Sequence, residues 1–299
     1  MTEDVHESAT VTVPDGPQVR SPYPKARRIR FRFTEDGADD KYFIDGDMVF
    51  SHFIAGLSAI FPPGEESFIR SVRRFADQIT DPVLKKRVAG FIGQEAVHGQ
   101  EHRRLNERLV ELGYPIAWAD SPKAEARRLK FEKRLSPRVH LAMTAAAEHY
   151  TAVLAERTLT NEYLRSLART TETRHLFDWH AFEELEHKSV AFDVYRAVGG
   201  TEWTRIVVMG FALTLTVPAL ILALTVALAR DPVARRHPIR VVRQAYALFT
   251  GPVFEGLMSE LAKYMRRGFH PDDIDTRALL ETWREELFGP YGGLTGHLK

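Results

Sequence analysis

Residues 180–187 read His180-Ala181-Phe182-Glu183-Glu184-Leu185-Glu186-His187, and residues 94–98 read Gln94-Glu95-Ala96-Val97-His98, with His102 following one turn later. Each stretch holds a Glu-x-x-His pair, Glu95/His98 and Glu184/His187. A spacing of three puts carboxylate and imidazole on one helix face about a turn apart, so both can reach one ion. The face matters more than the spacing. One helix carries the stripe Leu84, Val88, Phe91, Glu95, His98, His102, Leu105, Leu109; the other carries Phe177, His180, Glu184, His187, Ala191, Val194. In both, the ionisable residues interrupt an apolar stripe that must face a core. Buried carboxylates and imidazoles are costly unless paired or metal-bound.

Two further helices offer one carboxylate each in the same situation. Glu65 extends the stripe Phe68, Val72, Phe75, Ile79 backward by three, while its neighbour Glu66 groups with Arg70 and Arg73 on the outside. Glu148 lies between Leu141, Ala145 and Ala152, Ala155, small residues that permit close helix approach. The order is then Glu65, Glu95-x-x-His98, Glu148, Glu184-x-x-His187, one Glu from each of two helices and one Glu-x-x-His from each of the others. That is the arrangement of ferritin-like carboxylate bundles with two metals. The expected cofactor is two divalent ions, iron first, with Mn or Zn also compatible with oxygen and nitrogen donors. Glu95 and Glu184 suit terminal positions, and Glu65 and Glu148 terminal or bridging ones. His180 and then His102 are candidates for a further imidazole ligand or for a group hydrogen-bonded to a ligand. His149, Glu101, Glu183 and Glu186 lie off the stripes or at their edges and read as surface residues or as supports to the ligands, Glu183 being held open as an additional ligand.

Composition agrees with this chemistry. The chain has 299 residues, 41 Lys plus Arg against 40 Asp plus Glu, 12 histidines and no cysteine. Near-zero charge argues against a general nucleic-acid binder. Absence of cysteine excludes disulfides, thiolate zinc sites, cysteine-ligated iron–sulfur clusters and a thiol nucleophile. No Gly-rich phosphate loop, GxSxG elbow or HExxH helix is present.

Along the chain, residues 1–25 read as a polar, proline-bearing disordered tail without the apolar centre of a signal peptide, hence not secreted. Arg28 to Phe33, RIRFRF, alternates strictly and predicts a short strand. A helix over 48–61 is expected to stop at Pro62-Pro63, with another over 64–79. Asp81-Pro82 opens a helix that Gly113 closes; the charged stretch 123–133 leads to Ser136-Pro137, which opens a helix over about 138–158. A long helix over 161–198 breaks near 170–173 and ends at Gly199-Gly200. Two or three amphipathic helices follow over 238–288. The expected fold is all-α, a ferritin-like four-helix bundle over 26–200 with a short N-terminal β element and a C-terminal helical extension over 201–299.

The runs RRIRFRF (27–33), FPPGEESFIRSVRRF (61–75), QEAVHGQEH (94–102), EHYTA (148–152), WHAFEELEHKSVAFDVYRAVGG (179–200) and GFHP (268–271) resemble the bacterial proteins known as predicted metal-dependent hydrolases. The resemblance spans about 26–271. It supports Glu65 over Glu66, points to His98, His102, Glu148, His180, Glu184 and His187, and implies metal dependence and hydrolysis. Ligand type instead favours a di-iron enzyme that uses O2 to oxidise an apolar or lipid-like small molecule, which would need an electron donor. Metal storage or sensing is a third reading, and it predicts no substrate pocket beside the site.

Between Arg205 and Arg230 lie 24 residues without a charge, IVVMGFALTLTVPALILALTVALA (206–229). As a helix they would extend about 36 Å, enough to cross a hydrocarbon core. Membrane association is expected, as a surface-seated or hairpin-like insertion bent at Pro218, with Arg230, Arg235, Arg236, Arg240 and Arg243 toward an anionic cytoplasmic surface. A buried central helix, or a helix covering the bundle, is the alternative. Localisation is expected in the cytoplasm or on the cytoplasmic face of the membrane.

Overall fold

The computed structural model describes residues 23–33 and 40–299, so most of the expected N-terminal tail lies outside the described residues. The helices are α1 Met48–Arg73, α2 Pro82–Glu111, α3 Pro122–Glu132, α4 Pro137–Thr160, α5 Glu162–Ser166, α6 Thr171–His187, α7 Val190–Ala197, α8 Glu202–Arg230, α9 Pro232–Arg236, α10 Pro238–Thr250, α11 Leu257–Ala262 and α12 Arg277–Phe288. The cap-then-proline signals at Asp81 and Ser136 hold, each side chain accepting a backbone N–H at a helix start whose first residue is proline, and Ser121 before Pro122 does the same for α3. Gly113 takes a φ of +86° after α2, which favours glycine.

Helices α1, α2, α4 and α6 pack together as a bundle. Along α2, Leu84, Val88 and Phe91 belong to one apolar cluster and Leu105 and Leu109 to a second; along α4, Leu141 and Ala145 belong to the first and Ala152 and Ala155 to the second. The polar residues of both stripes fall between the two clusters. Apolar packing on either side therefore positions the charged layer without having to solvate it.

Four expectations need correction. Pro62 and Pro63 do not stop α1, which runs straight through them. Each proline removes one i→i−4 bond, but the Ser58 carbonyl that Pro62 cannot satisfy accepts a 3.0 Å bond from Asn106 Nδ2 of α2. The charged stretch 123–133 is itself a helix, α3. The long helix over 161–198 also breaks at Lys188-Ser189, where Lys188 Nζ turns to Thr276 Oγ1 at 3.1 Å and Ser189 Oγ accepts from Arg87 at 2.7 Å. And there is no strand among the described residues. RIRFRF keeps its alternation in burial, with Ile29, Phe31 and Phe33 inside, but only Ile29 forms a bridge, to Leu298. Arg30 N–H donates to the His297 carbonyl at 3.2 Å, and side-chain carboxylates take two further donors: Phe31 N–H bonds Glu101 at 3.0 Å and Arg32 N–H bonds Glu172 at 2.6 Å.

Helix α8 crosses α4 and α1 and continues through Pro218. Only Arg205, Met209 and Leu224 of its residues are buried, so the buried-central-helix alternative does not describe it.

Candidate metal centre

All six expected ligands are buried and come together. Glu65 is held on α1, Glu95 and His98 on α2, Glu148 on α4, Glu184 and His187 on α6. His187 Nε2 lies 3.1 Å from Glu95, 3.3 Å from Glu148 and 3.5 Å from Glu184, and His98 Nδ1 lies 3.5 Å from Glu184. Two triads emerge, Glu95/Glu184/His187 and Glu65/His98/His180, each with ligand atoms within 4.8 Å of one another. Glu66 points away, paired with Arg103 and, at 3.8 Å, with Arg70. Gly99 makes the approach of α1 possible, since a Cβ there would stand 3.1 Å from Glu65 Oε2 and 3.5 Å from Pro62 Cα.

The donors fit a cation. Both oxygens of Glu65, Glu95 and Glu148, together with His98 Nδ1 and His187 Nε2, are buried without a hydrogen-bond partner. Native interiors rarely leave such groups unmatched. Burial, and then the neighbouring Glu95 charge, push Glu148 up to about 8 and hold Glu65 well above the ordinary carboxylate range. Burial also raises Glu95, despite the adjacent His187. Against burial, which lowers both imidazoles, the neighbouring carboxylates raise His98 to about 10 and His187 well above its ordinary value, and those imidazoles hold Glu184 well below the carboxylate range, so the layer is organised around positive charge.

A shell of hydrogen bonds aims the imidazoles. His98 Nε2 donates to Glu183 at 3.1 Å, leaving Nδ1 toward the site; His187 Nδ1 donates to Gln94 Oε1 at 2.9 Å, leaving Nε2 toward it. Gln94 Nε2 donates to Glu186 at 2.8 Å, and Arg27 from the N-terminal segment binds Glu183 at 2.7 Å and Glu186 at 2.6 Å. Glu183 and Glu186 are thus buried supports, and Glu183 faces Arg27 and His98 instead of the carboxylate group. Glu101 and His149 are likewise buried, which overturns the surface half of their reading as surface residues or supports. Glu101 ties down Phe31, and His149 packs on Tyr264 and Phe269. Arg27, Ser58 and Asn106 had no signal in the helical stripes, whereas Gln94 stood in the motif beside Glu95 without a role.

The network separates His180 from His102. Asn106 Nδ2 donates to the Ser58 carbonyl, so its Oδ1 is the acceptor of Ser58 Oγ–H at 2.7 Å. Ser58 Oγ must then accept from His102 Nδ1 at 2.9 Å, and His102 Nε2 must accept from His180 Nδ1 at 2.6 Å. Burial lowers both imidazoles, His180 to about 4, in keeping with neutral rings. His180 Nε2 is left as a lone pair, 2.8 Å from Glu184 and 3.8 Å from Glu65. His180 thus stands in contact with the carboxylates, within a group that could hold an ion, and His102 lies behind it.

An apolar cavity of about 150 Å³ ends on His180 and Glu184. Phe53, Ile54, Leu57 and Phe61 of α1, Leu154 of α4 and Phe177 of α6 supply much of its wall.

The fold and site together define an all-α bundle with a buried carboxylate–imidazole centre beside an apolar pocket. A family model described as predicted metal-dependent hydrolase matches residues 25–275, and the chain belongs to that family. No curated protein and no solved structure matches the chain.

Proposed function

We propose that the protein is a metal-dependent hydrolase that holds two divalent ions with Glu65, Glu95, His98, Glu148, Glu184 and His187, joined by His180, and acts on an apolar, lipid-like ester or amide. The observation that carries this reading is the set of partnerless buried donors on four helices around one point. Four carboxylates balance two divalent charges, which one ion would not. When bound, the ions supply Lewis acidity and lower the pKa of water at neutral pH. The chain's own residues do the rest. The apolar wall binds the substrate body and excludes bulk water. Gln94 and Glu183 fix the two imidazoles. The His180–His102–Ser58–Asn106 path holds one tautomer at each ring.

A second reading, O2-dependent oxidation at a di-iron centre, is favoured by one observation: the ligand set follows the ferritin-like pattern helix by helix. It would require an electron donor. Storage is disfavoured by the pocket that reaches His180 and Glu184. The family description favours hydrolysis.

Metal analysis followed by turnover tests separates these. Two ions per chain and anaerobic cleavage of an apolar ester are expected. Absence of anaerobic turnover, with an O2-dependent absorbance change after Fe(II) loading, would overturn hydrolysis in favour of oxidation. Glu148→Ala should abolish binding of the second ion.

Membrane seating belongs to the same proposal. Leu222 on α8 is 65% exposed, and Ile239 and Tyr246 on α10 are 85% and 72% exposed. Arg235, Arg236, Arg240 and Arg243 flank that surface in sequence, as an anionic bilayer would require.

A further inference from the structure

The cavity has a second, basic end. Arg157, Arg165 and Arg174 line it along with the apolar wall, and they differ in what their guanidinium groups are doing. Arg157 donates to the carbonyls of Pro252 and Glu255 at 3.0 and 2.7 Å. Arg165 bonds Asp178 at 3.1 Å and lies over the Trp283 ring. Arg174 has no side-chain hydrogen bond or ion pair among the described residues, although it is half-buried in the cavity wall. Asp178 is the acidic group among the lining residues at this end; Arg165 bonds it and Arg174 is near enough to feel its charge, which leaves one carboxylate against three guanidinium groups. The end therefore carries an uncompensated positive charge, in a setting where apolar walls strengthen the attraction for an anion.

The geometry of α6 sets the scale. Arg174 and His180 are six residues apart on one helix, about 9 Å along its axis, and Glu184 is about 15 Å away. A ligand that met both ends would have an anionic group at Arg174 and an apolar body of roughly that length between it and the carboxylate–imidazole group.

We infer that the pocket binds a single-chain amphiphile whose anionic head pairs with Arg174 and whose apolar body runs along Phe53, Leu57, Leu154 and Phe177 toward His180 and Glu184. The assignment rests on the proposed function for its catalytic meaning, but binding itself requires neither hydrolysis nor oxidation. A carboxylate and a phosphate monoester share the needed chemistry. Arg offers a planar fork to either, so the head group is read by charge and by paired N–H donors.

Calorimetric titration of the full chain, as isolated, with decanoate, decyl phosphate and decanol tests this without measuring turnover. At least one anionic probe should bind with one-to-one stoichiometry and at least tenfold more tightly than decanol. Which of the two binds better identifies the head group. Arg174→Ala should remove that advantage while leaving decanol binding within threefold. Arg174→Lys should keep part of the advantage, and Leu57→Trp should weaken all three probes. Circular dichroism checks that each variant folds. Equal binding of decanol and both anions to the wild type, or an advantage that survives Arg174→Ala, would overturn the inference. Failure of the hydrolase reading would appear only in the turnover tests and leave these titrations unchanged.

Discussion

His187 offers Nε2 to Glu95, Glu148 and Glu184 because Gln94 occupies its other nitrogen at 2.9 Å. Gln94 is itself fixed by Glu186, and Glu186 by Arg27. Removing the amide by Gln94→Leu should leave the helices intact and lower metal affinity by about 10- to 100-fold, the usual cost of losing such a support. Competition with a chelator measures it, and unchanged affinity would show that Gln94 does not orient the ring. Gly99→Ala tests a different constraint. A methyl group 3.1 Å from Glu65 Oε2 must displace that carboxylate or the Pro62 turn. The Glu65/His98/His180 group should then lose affinity while the Glu95/Glu184/His187 group keeps its own. The candidate ligands were legible in the sequence because charge inside an apolar stripe is conspicuous. Arg27 was not, since it lies 156 residues from Glu183 and sits in a segment where arginine alternates with buried residues.

Among the elements, α1 and α8 show why local rules are overridden. Two prolines should end a helix, but Asn106 of α2 caps the freed Ser58 carbonyl, a tertiary contact that proline statistics cannot contain. Helix α8 is anchored at both ends by charge as well as by apolar contacts, Met209 in one cluster and Leu224 in another. At its start, fully buried Arg205 lies 4.9 Å over the Tyr264 ring and donates to the Arg266 carbonyl at 2.8 Å. Arg205→Leu should cost about 3 kcal/mol, because it orphans the buried Tyr264 carbonyl and the part-buried Arg266 carbonyl, and a lowered denaturant midpoint would report it. Just beyond its end, Asp231 meets Lys41 at 2.8 Å, His52 at 3.4 Å and the Tyr42 hydroxyl at 3.1 Å, and caps α9. Burial alone would raise the Asp231 pKa, but Lys41 and the α9 backbone N–H groups outweigh it and hold the carboxyl below its ordinary value. A depressed folded-state pKa stabilises the protein above the unfolded value, and that contribution disappears as pH falls through the folded value. Asp231→Asn should therefore be less stable than the wild type by about 1 kcal/mol at pH 7, with the gap closing below about pH 4. A gap that persists at lower pH would mean that packing, not charge, holds the junction.

The molecule as a whole places a polar layer between two apolar clusters and lays α8 and α10 against α1, whose Phe50, Phe53, Ile54 and Leu57 belong to that contact and also line the pocket. Helical periodicity made the bundle helices and their inward carboxylates readable from sequence. It did not make readable the pairing of the first and last segments, because the contact of Ile29 with Leu298 has no local pattern. Nor did it show that the uncharged run would remain mostly exposed, since length and hydropathy are the same for a core helix. Ile239→Asp with Val242→Asp, on the exposed stripe of α10, should reduce sedimentation with anionic vesicles at least tenfold without changing thermal stability. Vesicle binding that survives both changes would place the contact elsewhere. Removal of metal is the broadest test. Glu65, Glu95 and Glu148 carry oxygens that meet no donor, so the folded chain is poorer in compensation than the unfolded chain, whose carboxylates are in water. Any ion held only by the folded form stabilises it by mass action, about 2.7 kcal/mol at a hundredfold excess over Kd. In a chain of this size that corresponds to a rise in melting temperature of about 5 °C or more. Chelator-treated protein should melt lower by that amount and recover on adding back Fe(II), Mn(II) or Zn(II) anaerobically, the effective ion being the one the site selects. Glu148→Ala should show a smaller recovery, because one of the four carboxylates that define the layer is gone. If metal moved the melting temperature of neither protein, the partnerless carboxylates would have to be kept neutral by protons, and the ligand assignment would fail with them.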